Sequence, residues 1–246
     1  NGQFVAGYSI HQNTTDTNTL IPHLEQLKEQ YGELPQNLTA DAGYGSEENY
    51  QWLEEQGIEA YVKYGNFDRQ QNSTIQGKTP FSPDKLYYNK EQDYFICPMG
   101  QRMDRIGTGS RTTTTGFKQT VSRYGAKNCE GCPLRGVCHK SQGNRVIEVN
   151  HRLGELKSKA KERLLSEEGV RHRKRRCCDV EPVFGNIKQN HHFRRFMLRG
   201  IKKVGVETGL LLLAHNLRKK MAAKESEPGK TGVKSLENGH CYHLAA

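Results

Sequence analysis

A chain of 246 residues is long enough to bury a real core, as one large domain or one domain carrying an insertion. Only 34% of its residues are hydrophobic, its mean hydropathy is −0.85, and no apolar run approaches the length of a membrane span, which excludes an integral helical membrane protein. The net charge of +10 is concentrated in residues 151–220, which hold 19 Lys and Arg against 7 Asp and Glu, so a polyanion partner is expected there.

The chain opens with Phe4–His11, which alternates like a mid-sheet strand. Position 1 is Asn rather than Met, and the expectation is a fragment or processed product whose true N-terminal part is missing. No signal peptide precedes the strand, so the cytoplasm is the default location. A polar turn (12-QNTTDTN-18) leads to a helix over 20–32, where Leu20, Leu24, Leu27 and Tyr31 recur at helical spacing and Gly32 ends the run. A strand ending at Asp41, a helix from about Ser46 to Gln56 and a strand over 58–64 complete an α/β pattern with a largely buried sheet.

Asp41 ends its strand on the run 42-AGYG-45. One reading is local: Asp is a turn residue, Gly43 and Gly45 supply positive φ, and Ser46 caps the next helix. The other is functional, since sites in α/β sheets gather at the carboxyl ends of strands.

The pattern breaks at Gly65. Residues 65–150 are rich in Gly, Thr, Asn, Gln and Lys and read as an insertion. Four of the seven cysteines fall here, Cys97, Cys129, Cys132 and Cys138, in the spacing C-x31-C-x2-C-x5-C. Such a set suits structural Zn²⁺, an iron–sulfur cluster, or reduced thiols without metal. Helical periodicity returns near 151 and continues through 178–190 and 201–221. Within it Cys177 and Cys178 read as buried thiols, and 209-GLLLLAHN-216 reads as a buried helix. The tail, 222–246, is unpatterned and expected to be disordered.

The run 171-RHRKRR-176 carries a single sign of charge. After it, Glu181, Phe184 and Lys188 fall at i, i+3 and i+7, on one face of a helix. A second basic run, 194-RRFMLRG-200, follows. An ion-paired surface face would explain the triplet. A carboxylate kept amid this charge also has a use, holding a divalent cation against phosphate oxygens.

The stretches 39-TADAGYGSEENY-50 and 179-DVEPVFGNIKQNHHFRRFMLRG-200 resemble the second-aspartate and glutamate motifs of bacterial insertion-sequence DDE transposases. The end of the last helix, 213-LAHNLRKKM-221, resembles the family's final segment, and the four-cysteine insert resembles that of one subgroup. The resemblance implies an RNase H-like fold, a mixed sheet flanked by helices. Residues 1–64 would be the first part of the core without its first strand, 65–150 a cysteine-rich insertion between Asp and Glu, and 151–221 the C-terminal helices.

It implies Asp41 and Glu181 as catalytic ligands of Mg²⁺ or Mn²⁺, with the family's first Asp expected upstream of Asn1. Asp16 lies too close to Asp41 and reads as a turn residue. The family's Arg position before the Glu holds Cys177, with Arg176 one residue off. Lys188 would contact a phosphate near the scissile bond. Arg173, Lys174, Arg175, Arg176, Arg194, Arg195 and Arg199 would hold the DNA backbone.

The implied function is DNA transposition: strand cleavage and strand transfer on double-stranded transposon ends and target, by a homodimer on DNA. This chain alone is expected to be inactive or impaired. A metal-dependent nuclease of the same fold and an inactive DNA-binding remnant are the alternatives.

Overall fold

The computed structural model describes residues 3–72, 80–225 and 241–243. The chain is mixed α/β and divides into two compact units, Asn1–Gly65 with Lys159–Ala246, and Asn66–Ser158. The second unit runs past the expected insert boundary at 150, into the helix that starts at His151.

In the first unit, helix α1 (Leu20–Tyr31) buries Leu20, Leu24 and Leu27 and stops at Gly32, whose φ of 81° closes the last turn through its N–H on the Lys28 carbonyl. Strand β1 (Asn37–Ala40) is followed by helix α2 (Glu47–Glu55), whose N-cap Ser46 Oγ accepts the Asn49 N–H at 3.2 Å. Strand β2 (Glu59–Val62) lies parallel to β1, with Leu38 opposite Ala60 and Ala40 opposite Val62. All but the first residue of β2 is buried, as a strand covered on both faces requires. The expected tail contributes too: Cys241–His243 forms the strand β8, parallel to β1 on its other side, giving the order β2-β1-β8.

Phe4–His11 is not a strand. This segment is held along the last helix among the described residues, α7 (Ile201–Glu225), which itself extends past the expected end at 221. The Asn216 side chain takes the place of a neighbouring strand: its Oδ1 accepts the Val5 N–H at 2.9 Å and its Nδ2 donates to the Val5 carbonyl at 2.8 Å. Tyr8 OH donates to the Gly205 carbonyl at 2.8 Å, and Gly209 leaves room for that ring. The expectation of a buried 209–216 is also corrected. His215 is buried, but Leu210 and Leu213 are exposed, with Val206 and Leu217 on the same helix, because the Gln3–Tyr8 segment covers only one side.

In the second unit, helix α3 (Phe67–Gln71) precedes five antiparallel strands in sequential order: β3 (Tyr88–Asn89), β4 (Tyr94–Ile96), β5 (Arg102–Thr112), β6 (Lys118–Gly125) and β7 (Val146–Val149). A small core of Phe95, Met103, Tyr124, Ala126, Cys129 and Ile147 lies against this sheet. Helix α4 (His151–Leu165) then leads back to the first unit.

Candidate active site

Helix α5 (Glu167–Asp179) starts on the Ser166 cap, whose Oγ accepts the Gly169 N–H at 3.1 Å, and it packs on β1 and β2. His172 is buried there, stacked on Tyr61 with ring centroids 4.4 Å apart. One turn further on, Arg176 reaches the end of β1. Its Nη2 stands 3.1 Å from Asp41 Oδ2. Asp41 Oδ1 accepts the Ala42 N–H at 2.8 Å. Partial burial opposes ionisation of Asp41, yet the Ala42 N–H and the Arg176 guanidinium outweigh it and hold the carboxyl below its ordinary value.

The glycines after Asp41 do not supply positive φ, because neither Gly43 nor Gly45 has one. What they supply is space. A Cβ on Gly45 would stand 2.3 Å from the Lys63 carbonyl oxygen and 2.8 Å from Tyr64 Cα, so only glycine lets this turn close onto the end of β2. A Cβ on Gly43 would meet only Asp16, at 3.5 Å from Oδ2. The turn 42–44 rests on the turn Asp16–Asn18, where Thr17 Oγ1 donates to the Gly43 carbonyl at 2.8 Å. Asn49 Nδ2 donates to the Thr17 and Tyr44 carbonyls. Burial raises the Tyr44 pKa, and the Asp16 and Asp41 carboxylates add to the rise. Asp16 therefore sits beside the Asp41 turn, which its distance along the chain did not reveal.

Helix α5 breaks at Val180, and Glu181 begins a short helix, α6 (Glu181–Gly185), with Pro182 in its first turn. A π-helical turn, Asn186–Asn190, follows. The expected continuous helix over 178–190 is thus three pieces, yet its polar face survives. Val183 and Ile187 are buried while Glu181, Phe184 and Lys188 are exposed, with Lys188 Nζ 5.9 Å from the Phe184 ring centroid. Among the described residues no hydrogen bond or ion pair joins Glu181 to Asp41, and no three His, Cys, Asp or Glu side chains are set to share a metal ion. As donors, Asp41 and Glu181 carry the hard oxygens that Mg²⁺ prefers. In this arrangement a guanidinium, not a third carboxylate, faces Asp41.

The remaining basic residues have distinct settings. Arg173 Nε donates to the Leu164 carbonyl at 3.1 Å, and Arg175 pairs with Asp179 at 3.5 Å. Lys174, Arg194, Arg195 and Arg199 are exposed. Cys177 and Cys178, expected to be buried, are exposed, since α5 turns His172 and Gly169 inward instead.

In the other unit, Cys97, Cys129, Cys132 and Cys138 line one cavity of about 20 Å³, room for a single ion or water. Two backbone N–H groups point at sulfur: Gln101 to Cys97 at 3.3 Å and Arg145 to Cys129 at 3.4 Å. Arg145 Nη1 also donates to Cys138 Sγ at 2.8 Å. Gly100, Gly131 and Gly136 have φ of 79°, 68° and 90°, and they make the tight turns between these cysteines. N–H donors of this kind orient the sulfurs, as the outer hydrogen bonds around metal-ligating cysteines do. The residues fit a four-thiolate ion, though the sulfurs are not drawn together to ligating distance. Nothing in the sequence singled out the buried Arg145.

A family model described as a transposase DDE domain matches residues 96–221, just over half of the chain. The match takes in all four of these cysteines, Glu181 and Lys188, and begins after Asp41. No curated protein and no solved structure matches.

Proposed function

We propose, from the premise that this chain belongs to the transposase DDE domain family, that it is the catalytic domain of an insertion-sequence transposase with an RNase H-like core. The family makes DNA the substrate and polynucleotidyl transfer the type of activity. The observation that carries the reading is the carboxylate of Asp41, ionised at the end of a buried parallel strand beneath a helix bearing 171-RHRKRR-176.

Asp41 and Glu181 would hold Mg²⁺ or Mn²⁺. When bound, such an ion polarises the phosphate and activates the attacking oxygen. The chain's own residues do the rest. Arg176 balances the charge of Asp41, whose carboxylate is only partly buried at the end of β1. Lys188 and Arg194 flank an open recess with Gln189 and Phe193, where a phosphate would be gripped. Lys174, Arg195 and Arg199 lie along the backbone of the duplex, and Arg173 and Arg175 support the same face. In the other lobe the four cysteines bind structural Zn²⁺, or an iron–sulfur cluster, in place of a larger core. With DNA as its substrate, the protein would work in the cytoplasm, associated with the nucleoid; no helix among the described residues is long and apolar enough to cross a membrane.

The test is DNA binding and strand cleavage by the same preparation. Binding to a 30-base-pair duplex should weaken steeply with salt, each neutralised phosphate contributing about −0.9 to the slope of log K against log salt. Lys174→Ala with Arg195→Ala should flatten that slope by about 2. Strand cleavage in Mg²⁺, expected to be impaired in this chain alone, should fall to background in Asp41→Asn and Glu181→Gln alike, and products with joined ends separate a transposase from a nuclease. Salt-insensitive binding, or cleavage that survives both substitutions, would overturn the reading.

A further inference from the structure

The stretch 191-HHFRRFMLRG-200 has a surface that phosphate binding does not explain. Met197 is 74% exposed, Phe196 47% and Leu198 44%, three large apolar side chains in a row. Burial would ordinarily claim them, because removing apolar surface from water is favourable. Arginines flank them, at 194 and 195 on one side and 199 on the other, and none of the three forms an ion pair among the described residues.

The stretch is also built rather than loose. Glu207 of α7 reaches back with both carboxylate oxygens. Its Oε1 accepts the Met197 N–H at 2.9 Å, and its Oε2 accepts the Leu198 N–H at 3.0 Å. Phe193 N–H donates to the Ile187 carbonyl at 3.2 Å, and Asn186 Nδ2 lies 3.3 Å from His191 Nε2. The Phe193 and Phe196 rings meet edge to face, centroids 5.2 Å apart at 76°. His192 takes a φ of 53° and Gly200 one of 85°, so the chain turns sharply at both ends of the exposed tip.

A water-soluble surface gains nothing from a fixed apolar tip ringed by cations. A nucleic acid does. Arginines hold the phosphates on either side, while Phe or Met inserts into a base step or stacks on a base that has left the helix. We propose that Phe196 and Met197 form a wedge that unstacks duplex DNA and holds a displaced base beside the Lys188 recess. The ligand class is DNA with unstacked or unpaired bases. The inference rests on the DNA-strand-cleaving reading given above and refines it, because a phosphate grip alone needs no apolar tip.

The experiment uses two 30-base-pair duplexes in EDTA, one fully paired and one with a two-nucleotide bulge, each carrying 2-aminopurine at the centre. Wild-type protein should bind the bulged duplex roughly tenfold more tightly, the worth of stacking one base. It should also raise 2-aminopurine fluorescence in the paired duplex, as that base loses its neighbours. Phe196→Ala with Met197→Ala changes only exposed side chains. It should bring the affinity ratio to about one and abolish the fluorescence rise, while affinity for paired duplex stays within about twofold and its salt slope is unchanged. Paired and bulged duplexes bound equally by wild type, or a preference that survives the double substitution, would overturn the wedge and leave the DNA-binding reading standing. Failure to bind either duplex at low salt would overturn both.

Discussion

Gly43 and Gly45 belong to one short motif, yet the structure assigns them opposite tolerances. In Gly45→Ala the new methyl would stand 2.3 Å from the Lys63 carbonyl oxygen, 2.8 Å from Tyr64 Cα and 3.0 Å from Tyr50 OH. A relaxed carbon–oxygen contact is about 1 Å longer than the first of these, and the first two are backbone atoms at the end of a buried strand. Neither can rotate aside. The cost therefore falls at the upper end of the overpacking range, about 3 kcal/mol, which for a domain of this size lowers Tm by roughly 6–12 °C. In Gly43→Ala the methyl meets only the flexible Asp16 side chain, at 3.5 Å. With no positive φ to forbid alanine, that change should be neutral or stabilise by up to about 1 kcal/mol through the unfolded chain. Thermal melts of the two single variants decide the matter. A Gly45→Ala protein melting within about 2 °C of wild type, or a Gly43→Ala protein that falls as far as Gly45→Ala, would refute the packing argument.

Arg176→Ala removes a charge that lowers the Asp41 pKa and leaves the opposing burial in place, so the Asp41 midpoint, followed by carboxyl NMR, should rise; Arg176→Lys should lie between. Because folding lowers that pKa from its ordinary 3.8, the stabilisation is complete above this value and fades as pH falls through the lower folded one. Asp41→Asn should accordingly blunt the loss of Tm on acidification below about pH 4, and an unchanged acid limb would count against the ion pair. Asn216→Ala deletes both hydrogen bonds to Val5 and should cost about 1–3 kcal/mol, with hydrogen exchange at the Val5 amide accelerating well before the core. For the cysteine lobe, metal analysis should find about one Zn²⁺ per chain; Cys132→Ser should release it and lower the lobe's melting temperature, and protein purified without zinc or iron would end the metal reading.

Where the sequence reading succeeded, the deciding interactions were local. Helix α1 ends where Gly32 adopts φ 81°, and helix α2 begins where Ser46 Oγ meets the Asn49 amide three residues on. Where it failed, the partner was distant. The alternation of Phe4–His11 is that of a strand, but Asn216, 211 residues from Val5, satisfies its backbone instead of a strand. One miss was avoidable: Pro182 in the first turn of α6 marks a helix start at Glu181, and reading it would have replaced one long helix by the observed break. The two exposed cysteines at 177 and 178 offered no such signal, since their side of α5 depends on which face His172 turns toward Tyr61.

Asp41 shows why local chemistry could not choose between a turn residue and a site residue. It is a turn residue: its Oδ1 holds the Ala42 amide and its backbone opens the turn 42–44. That role uses one oxygen and would be met as well by Asn or Ser. The other oxygen distinguishes the readings. Oδ2 holds Arg176, 135 residues further on, and only a carboxylate answers a guanidinium with a full charge. A side chain that merely closed the turn would gain little from an arginine left 18% exposed over a strand end, with its Nε buried and without a hydrogen bond. An unpaired buried donor is costly, so the arrangement as it stands is not the one that minimises energy for folding alone. It becomes reasonable if negative charge must be kept at the end of β1 for something other than Arg176 to use.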